Sequence, residues 1–179
     1  MEGTNVVKDA VLIPDAVREE TLTRLVSQYE VPLQRVCCLY LHDPGLAEDA
    51  VQETFLKAYK NLNEFRAQSS EKTWLMRIAV NVCRDMQRGR WFRHVDRRVT
   101  PDMLPEPLMQ PDGQDIDLTL TVMQLPDKLK EVVILYFYQG MSMGEVAEAL
   151  GMAQSSVSNR LNRAKEKLHD ALEGGYCRG

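Results

Sequence analysis

No run of this 179-residue chain stays apolar for the roughly 18 residues that crossing a bilayer would require. The first ten residues, MEGTNVVKDA, lack the basic start and long apolar core of a secretion signal, so a cytoplasmic protein is expected. Cysteine is scarce and poorly spaced for chemistry. Cys37, Cys38, Cys83 and Cys177 form no C-x-x-C pair, and only His42, His94 and His169 could join them. That spacing argues against a zinc site and predicts free thiols, at least two of them in the core. No Gly-rich phosphate loop and no nucleophile–base motif is present, so no enzymatic activity, cofactor or small-molecule substrate is expected. What is present, 44% apolar and 27% charged residues, is the composition of a globular protein of one domain or two small ones.

Residues 70–93, SEKTWLMRIAVNVCRDMQRGRWFR, organise the rest. Leu75, Ile78, Ala79, Val82 and Met86 recur at helical spacing and predict a core stripe. Trp74, Arg77, Asn81, Arg84 and Arg88 step by three and four residues and therefore share a second face. An indole stacks on bases, an amide reads base edges and guanidinium groups hold phosphates. Taken alone, Trp74 suits a half-buried core position equally well. From Arg66 to Arg98 nine basic side chains stand against three acids, in a chain whose formal net charge is −4. Positive charge gathered on one element of an acidic protein points to an anionic partner.

Residues 1–14 read as a loose arm. From Asp15 to Leu41 the apolar period is helical, with Pro32 inside it predicting a kink or a split into two helices. Asp43 is the expected N-cap of a helix over about 44–62, with Pro44 in its first turn. That helix buries Ala47, Val51, Phe55, Ala58 and Leu62 and shows Glu48, Asp49, Gln52, Glu53, Leu56 and Lys60. A solvated face and a small protein-docking face both satisfy this pattern. Residues 63–70 link it to the basic helix, with Ser69 or Ser70 as cap.

Residues 96–117 hold four prolines and no periodicity, and read as a linker between a helical domain at 15–95 and a second at 118–175. The fold expected is all-α, two small helical domains on one tether. In the second, a short helix over Leu118–Leu125 precedes an apolar helix over Asp127–Tyr138. Ser142 with Glu145 makes a capping box, Gly151 a C-cap, and a long helix follows from Ser155. Ala147, Gly151 and Val157 have the spacing of a helix-turn-helix, whose second helix presents Gln154, Ser155, Ser158, Asn159, Asn162 and Arg163 with Arg160 nearby. By themselves these residues also suit a stand-alone duplex-binding repressor or activator.

Taken in order, AEDAVQETFLKAY (47–59), FR (65–66), SSEKTWLMRIAVN (69–81), LPDKLKEVV (125–133), GMSMGEVAEALG (140–151) and SVSNRLNRAK (156–165) resemble the extracytoplasmic-function sigma factors of bacterial RNA polymerase. The resemblance implies that Glu48, Asp49, Gln52, Glu53 and Leu56 dock on the clamp coiled coil of the polymerase largest subunit. It implies a −10 reader comprising Phe65, Arg66, Ser69, Ser70, Lys72, Trp74, Arg77, Asn81, Arg84 and Arg88. It likewise implies a −35 reader comprising Gln154, Ser155, Ser156, Ser158, Asn159, Arg160, Asn162 and Arg163. Further implied are promoter DNA as ligand, the flap of the second-largest subunit as a contact and a stress- or envelope-responsive regulon. An anti-sigma factor, in many relatives membrane-bound, is the implied inhibitor.

Overall fold

A computed structural model describes the chain at residues 13–65, 69–89 and 116–176. Among the described residues there is no strand, and helices make up the elements. The long first helix, α1 (Asp15–Leu41), runs through Pro32 as one helix. A proline removes one backbone donor, but here the residues after it, Leu33 and Val36 through Leu41, are all buried. Packing on every side of the last turns outweighs the missing bond. The helix closes where His42 turns left-handed at φ 63° and donates its N–H to the Cys38 carbonyl at 2.9 Å.

Asp43 caps α2 (Pro44–Lys60), its Oδ1 accepting the Leu46 N–H at 2.8 Å. Ala47, Ala50 and Ala58 are fully buried, which lets α2 lie close against α1. After a single 3-10 turn at Leu62–Glu64, Ser70 caps α3 (Glu71–Arg88) by accepting the Thr73 N–H at 3.1 Å. The expected core stripe is present in Leu75, Ala79 and Val82, with Ile78 and Met86 half-buried beside it. A second row, Met76, Val80 and Cys83, is buried as well. The periodicity predicted one core face; α3 has more because α1, α2 and the C-terminal half all pack on it.

The C-terminal half opens with α4 (Ile116–Met123), which starts two residues before the expected Leu118. After Pro126 comes α5 (Asp127–Val133), where a regular helix to Tyr138 was expected. Instead Ile134–Tyr138 widen into a π turn, with the Gln139 N–H bonded to the Ile134 carbonyl at 3.1 Å. The wider turn keeps Ile134 and Leu135 inside while Phe137 stands 51% exposed. The capping box of α6 (Met143–Leu150) is complete: Ser142 Oγ accepts the Glu145 N–H at 3.3 Å and the Glu145 carboxylate accepts the Ser142 N–H at 2.8 Å. Gly151, at φ 64°, ends α6 where a side chain would strain the backbone. The last helix, α7 (Gln154–Tyr176), seats Val157, Leu161 and Ala164 in the core. The buried apolar residues of the two halves form one continuous cluster.

Candidate nucleic-acid and polymerase interface

The start of α3 and the turn before it bring Phe65 and Trp74 together, ring centroids 4.7 Å apart and tilted by 34°. Beside this pair lies a cavity of about 420 Å³ lined by Asn61, Ser69, Trp74, Arg77, Ile78 and Glu148, among others. Aromatic faces, a neighbouring guanidinium and hydroxyl and amide groups can together stack and hold an unpaired base. Ser70 is exposed and serves as the helix cap, so its hydroxyl is partly committed to Thr73. Arg66 lies outside the described residues.

The basic face expected to be open is largely engaged by the C-terminal half. Arg77 Nη2 donates to the Glu148 carbonyl at 2.9 Å and approaches the Glu148 carboxylate at 3.5 Å. The Lys72 ammonium donates to the Gln139 carbonyl. Arg84 donates through Nε and Nη2 to Glu131 Oε2, at 3.2 and 2.8 Å. Asn81 is exposed and accepts from Arg84 Nη1 at 3.3 Å. Arg88 is 79% exposed and lies at a loose 3.9 Å from Asp85. The pattern reading could not see this partial engagement, whose cause is long-range: partners 47 and 71 residues away supply the carboxylates, while Asn81 and Arg88 stay exposed.

Glu131, only 3% exposed, is the polar centre of this junction. Its second oxygen accepts from Arg160 Nη1 at 3.0 Å, and the Tyr40 hydroxyl lies 3.5 Å from the first. Burial, together with the negative charges of Glu131 and Asp127, raises the Tyr40 phenol well above its ordinary range. Burial works against the charged Arg84, but its hydrogen bonds to Glu131 prevail and leave its pKa raised. Neither Glu131 nor Glu148 was singled out from the sequence. The one signal was a Lys130–Glu131 pair inside the apolar run of α5, since charges at a core position need partners.

On α2, Glu48, Asp49, Gln52 and Leu56 are exposed, with Leu56 at 47%; Glu53 is half-buried and 3.8 Å from Lys57. On α7, Gln154, Ser155, Asn159, Asn162 and Arg163 are exposed and Ser156 and Ser158 are half-buried. Arg160 differs from these neighbours, because its guanidinium turns inward to Glu131 and the Lys128 carbonyl.

Comparison with known proteins matches residues 25–93 to Sigma-70 region 2 and residues 116–168 to Sigma-70 region 4. The chain is 30% identical to the RNA polymerase sigma-H factor of Pseudomonas aeruginosa over 163 residues, 83% of this chain and 84% of that one. It is 27% identical to the ECF RNA polymerase sigma factor SigW of Bacillus subtilis over 168 residues, covering 86% and 90% of the two. Among solved structures it resembles CnrH in complex with the cytosolic domain of CnrY, with TM-score 0.67, 26% identity and coverage of 87% and 90%. It equally resembles the sigma factor RpoE in complex with the anti-sigma factor NepR from Bartonella quintana, with TM-score 0.67, 25% identity and coverage of 87% and 98%.

Proposed function

Because the chain belongs to the sigma-70 family, as an extracytoplasmic-function sigma factor of RNA polymerase, we propose a division of labour among α2, α3 and α7. A sigma factor directs promoter recognition and transcription initiation and is not itself an enzyme. Residues 15–95 form the module for core polymerase and the −10 element, and residues 118–175 the module for the −35 element, joined by the linker 96–117. Phe65, Ser69, Ser70, Lys72, Trp74, Arg77, Asn81, Arg84 and Arg88, with Arg66, read the unpaired −10 strand. Gln154, Ser155, Ser156, Ser158, Asn159, Asn162 and Arg163 face the −35 major groove, with Arg160 beside them. Glu48, Asp49, Gln52, Glu53 and Leu56 dock on core polymerase, since an exposed leucine rimmed by carboxylates suits a protein and repels DNA.

The observation that carries this reading is the Phe65–Trp74 pair opening on a cavity beside Arg77. Magnitudes then require the polymerase. Opening duplex costs about 1.4 kcal/mol per base-pair step, and flipping a base a few more. Stacking that base returns only about 1–3 kcal/mol. Core polymerase supplies the remainder and spaces the two readers.

The solved complexes of two relatives, CnrH with CnrY and RpoE with the anti-sigma factor NepR, support an anti-sigma factor for this chain too. None of the helices among the described residues is long and apolar enough to cross a membrane, so attachment there would come through such a partner. The cytoplasm is the proposed place of action, and a stress- or envelope-responsive regulon the proposed output. Run-off transcription with purified core polymerase over a promoter library tests the reading. Initiation at templates sharing one −10 and one −35 motif is expected; no initiation at any template rejects it.

A further inference from the structure

Side chains from α1 and α3 on one side and from α5, α6 and α7 on the other wall a second cavity, of about 480 Å³. Four cations line it: Arg84 and Arg88 from α3, Lys128 from α5 and Arg160 from α7. Only two carboxylates, Asp127 and Glu131, stand against them. Both are engaged. Glu131 holds Arg84 at 2.8 Å and Arg160 at 3.0 Å, and Asp127 lies 3.3 Å from the Lys130 ammonium. The lining thus keeps an excess of two positive charges in a chain whose formal net charge is −4. Lys128 is exposed, and Arg88 has only the exposed Asp85 carboxylate near it at 3.9 Å among the described ion pairs, so both can turn to an anion from solution. A concave cationic surface with low-dielectric walls attracts such an anion more strongly than a flat one.

The rest of the lining is apolar. Leu150 is buried and Met152 half-buried at the end of α6, and the volume lies within the roughly 300–1,000 Å³ of small-molecule sites. Guanidinium forks bond phosphate oxygens in pairs, an ammonium holds them as a point charge, and a thioether and a leucine offer a seat to a flat ring. We propose that this cavity binds a small diphosphate-bearing anion, its phosphates on Arg88, Lys128 and Arg160 and, in a nucleotide, its base against Leu150 and Met152. Because the walls come from both halves of the chain, the ligand binds only while they are together and stabilises that arrangement by mass action. The site does not depend on α3 or α7 reading DNA.

Isothermal titration of the full chain in magnesium-free buffer tests this with four probes: ADP, GDP, inorganic pyrophosphate and adenosine. Saturable binding of one equivalent is expected for pyrophosphate and for at least one nucleotide, with the nucleotide tighter and adenosine not bound. Lys128→Ala and Arg88→Ala should each weaken the bound probes about five-fold, the worth of one partly exposed ion pair. Both positions are exposed, so the variants should fold, and an unchanged melting temperature without ligand verifies it. Lys60→Ala, on the exposed face of α2, removes the same charge outside the cavity and should leave binding as it was. Met152→Ala should weaken the nucleotide and spare pyrophosphate. In a second measurement the bound probe should raise the melting temperature, and by less in Lys128→Ala. If no phosphate probe binds, the site is overturned. Binding that falls equally in Lys60→Ala, or in none of the variants, overturns it too, because the anion then sits elsewhere or nowhere in particular. Nucleotides no tighter than pyrophosphate would keep the phosphate seat, overturn the ring seat and name a free diphosphate as the ligand.

Discussion

Phe65 and Trp74 face each other at the start of α3, 4.7 Å between ring centroids, although nine positions separate them in the chain. Ser70 makes that approach possible, because its capping bond to Thr73 starts α3 and sets the direction in which Trp74 leaves the helix. The pair presents aromatic surface to the adjoining cavity, where a nucleobase can stack without displacing the protein core.

Truncating Trp74 to alanine should therefore remove a stacking surface worth about 1–3 kcal/mol, or roughly 5- to 150-fold in affinity of the holoenzyme for an unpaired −10 strand. The loss should persist on a template whose −10 segment is mismatched and already open, because the indole holds the strand and does not pry it apart. Trp74→Phe should restore most of the binding. Recovery of Trp74→Ala on the open template would assign the residue to melting alone. Gel-shift titration on the two templates makes the comparison.

Arg84 and Arg88 are one turn apart yet should behave differently. Arg88 is solvated, so Arg88→Ala should leave stability within about 0.5 kcal/mol. It should weaken holoenzyme binding on every promoter alike and lower the salt slope by about 1. Arg84→Ala should reduce the slope similarly and also destabilise the free chain by about 1–2 kcal/mol. The cost stays below that of breaking an isolated buried pair because Glu131 keeps Arg160. Urea unfolding of the free proteins, alongside binding at four salt concentrations, separates the two effects.

The contrast between these arginines also marks what the sequence could disclose. Asp43, Ser142 with Glu145, and Gly151 declare themselves locally, since a cap lies within a few residues of what it caps. The exposed faces of α2 and α7 follow from periodicity in the same way. Pro32 does not split α1 because its local penalty is met by tertiary burial of Val36 through Leu41, which no window of sequence contains. The π turn at Ile134–Tyr138 has no residue signature. The pairs Arg84–Glu131 and Arg77–Glu148 span 47 and 71 residues, and nothing local in Arg77 distinguishes a guanidinium awaiting phosphate from one holding a carboxylate.

On α7 the same distinction separates Arg160 from its neighbours. Asn159 and Arg163 are exposed, and their replacement by alanine should shift base preference at the −35 element while the −10 preference and the melting temperature stay put. Arg160→Ala should do the reverse. It removes a partner from the buried Glu131, so the expected result is a lower melting temperature with −35 preference unchanged. Selection from a randomised −35 library reads the first, and thermal unfolding the second.

Stability should form a plateau in pH with two identifiable edges. On the acid side, Glu145 is held below the usual carboxylate range by the Ser142 N–H and hydroxyl, and Glu71 by its hydrogen bond from Arg24. A folded pKa lower than the unfolded one, about 4.3 for Glu, gives stability that is complete above that value and disappears as pH falls through the folded pKa. On the alkaline side burial pushes the Cys38 thiol up to about 12, with the neighbouring Cys37 adding to it. Here the sign is opposite: the contribution is complete below the unfolded thiol pKa, about 8.5, and is lost as pH climbs from there toward 12. Urea midpoints measured from pH 3 to pH 11 should then fall at both ends. Glu145→Gln keeps an acceptor for the Ser142 N–H, so it should lower the plateau only slightly and flatten the acid edge only. Cys38→Ala should flatten the alkaline edge only. An alkaline edge unchanged in Cys38→Ala would mean that other buried groups, the Cys37 thiol and the Tyr40 phenol among them, set the upper limit.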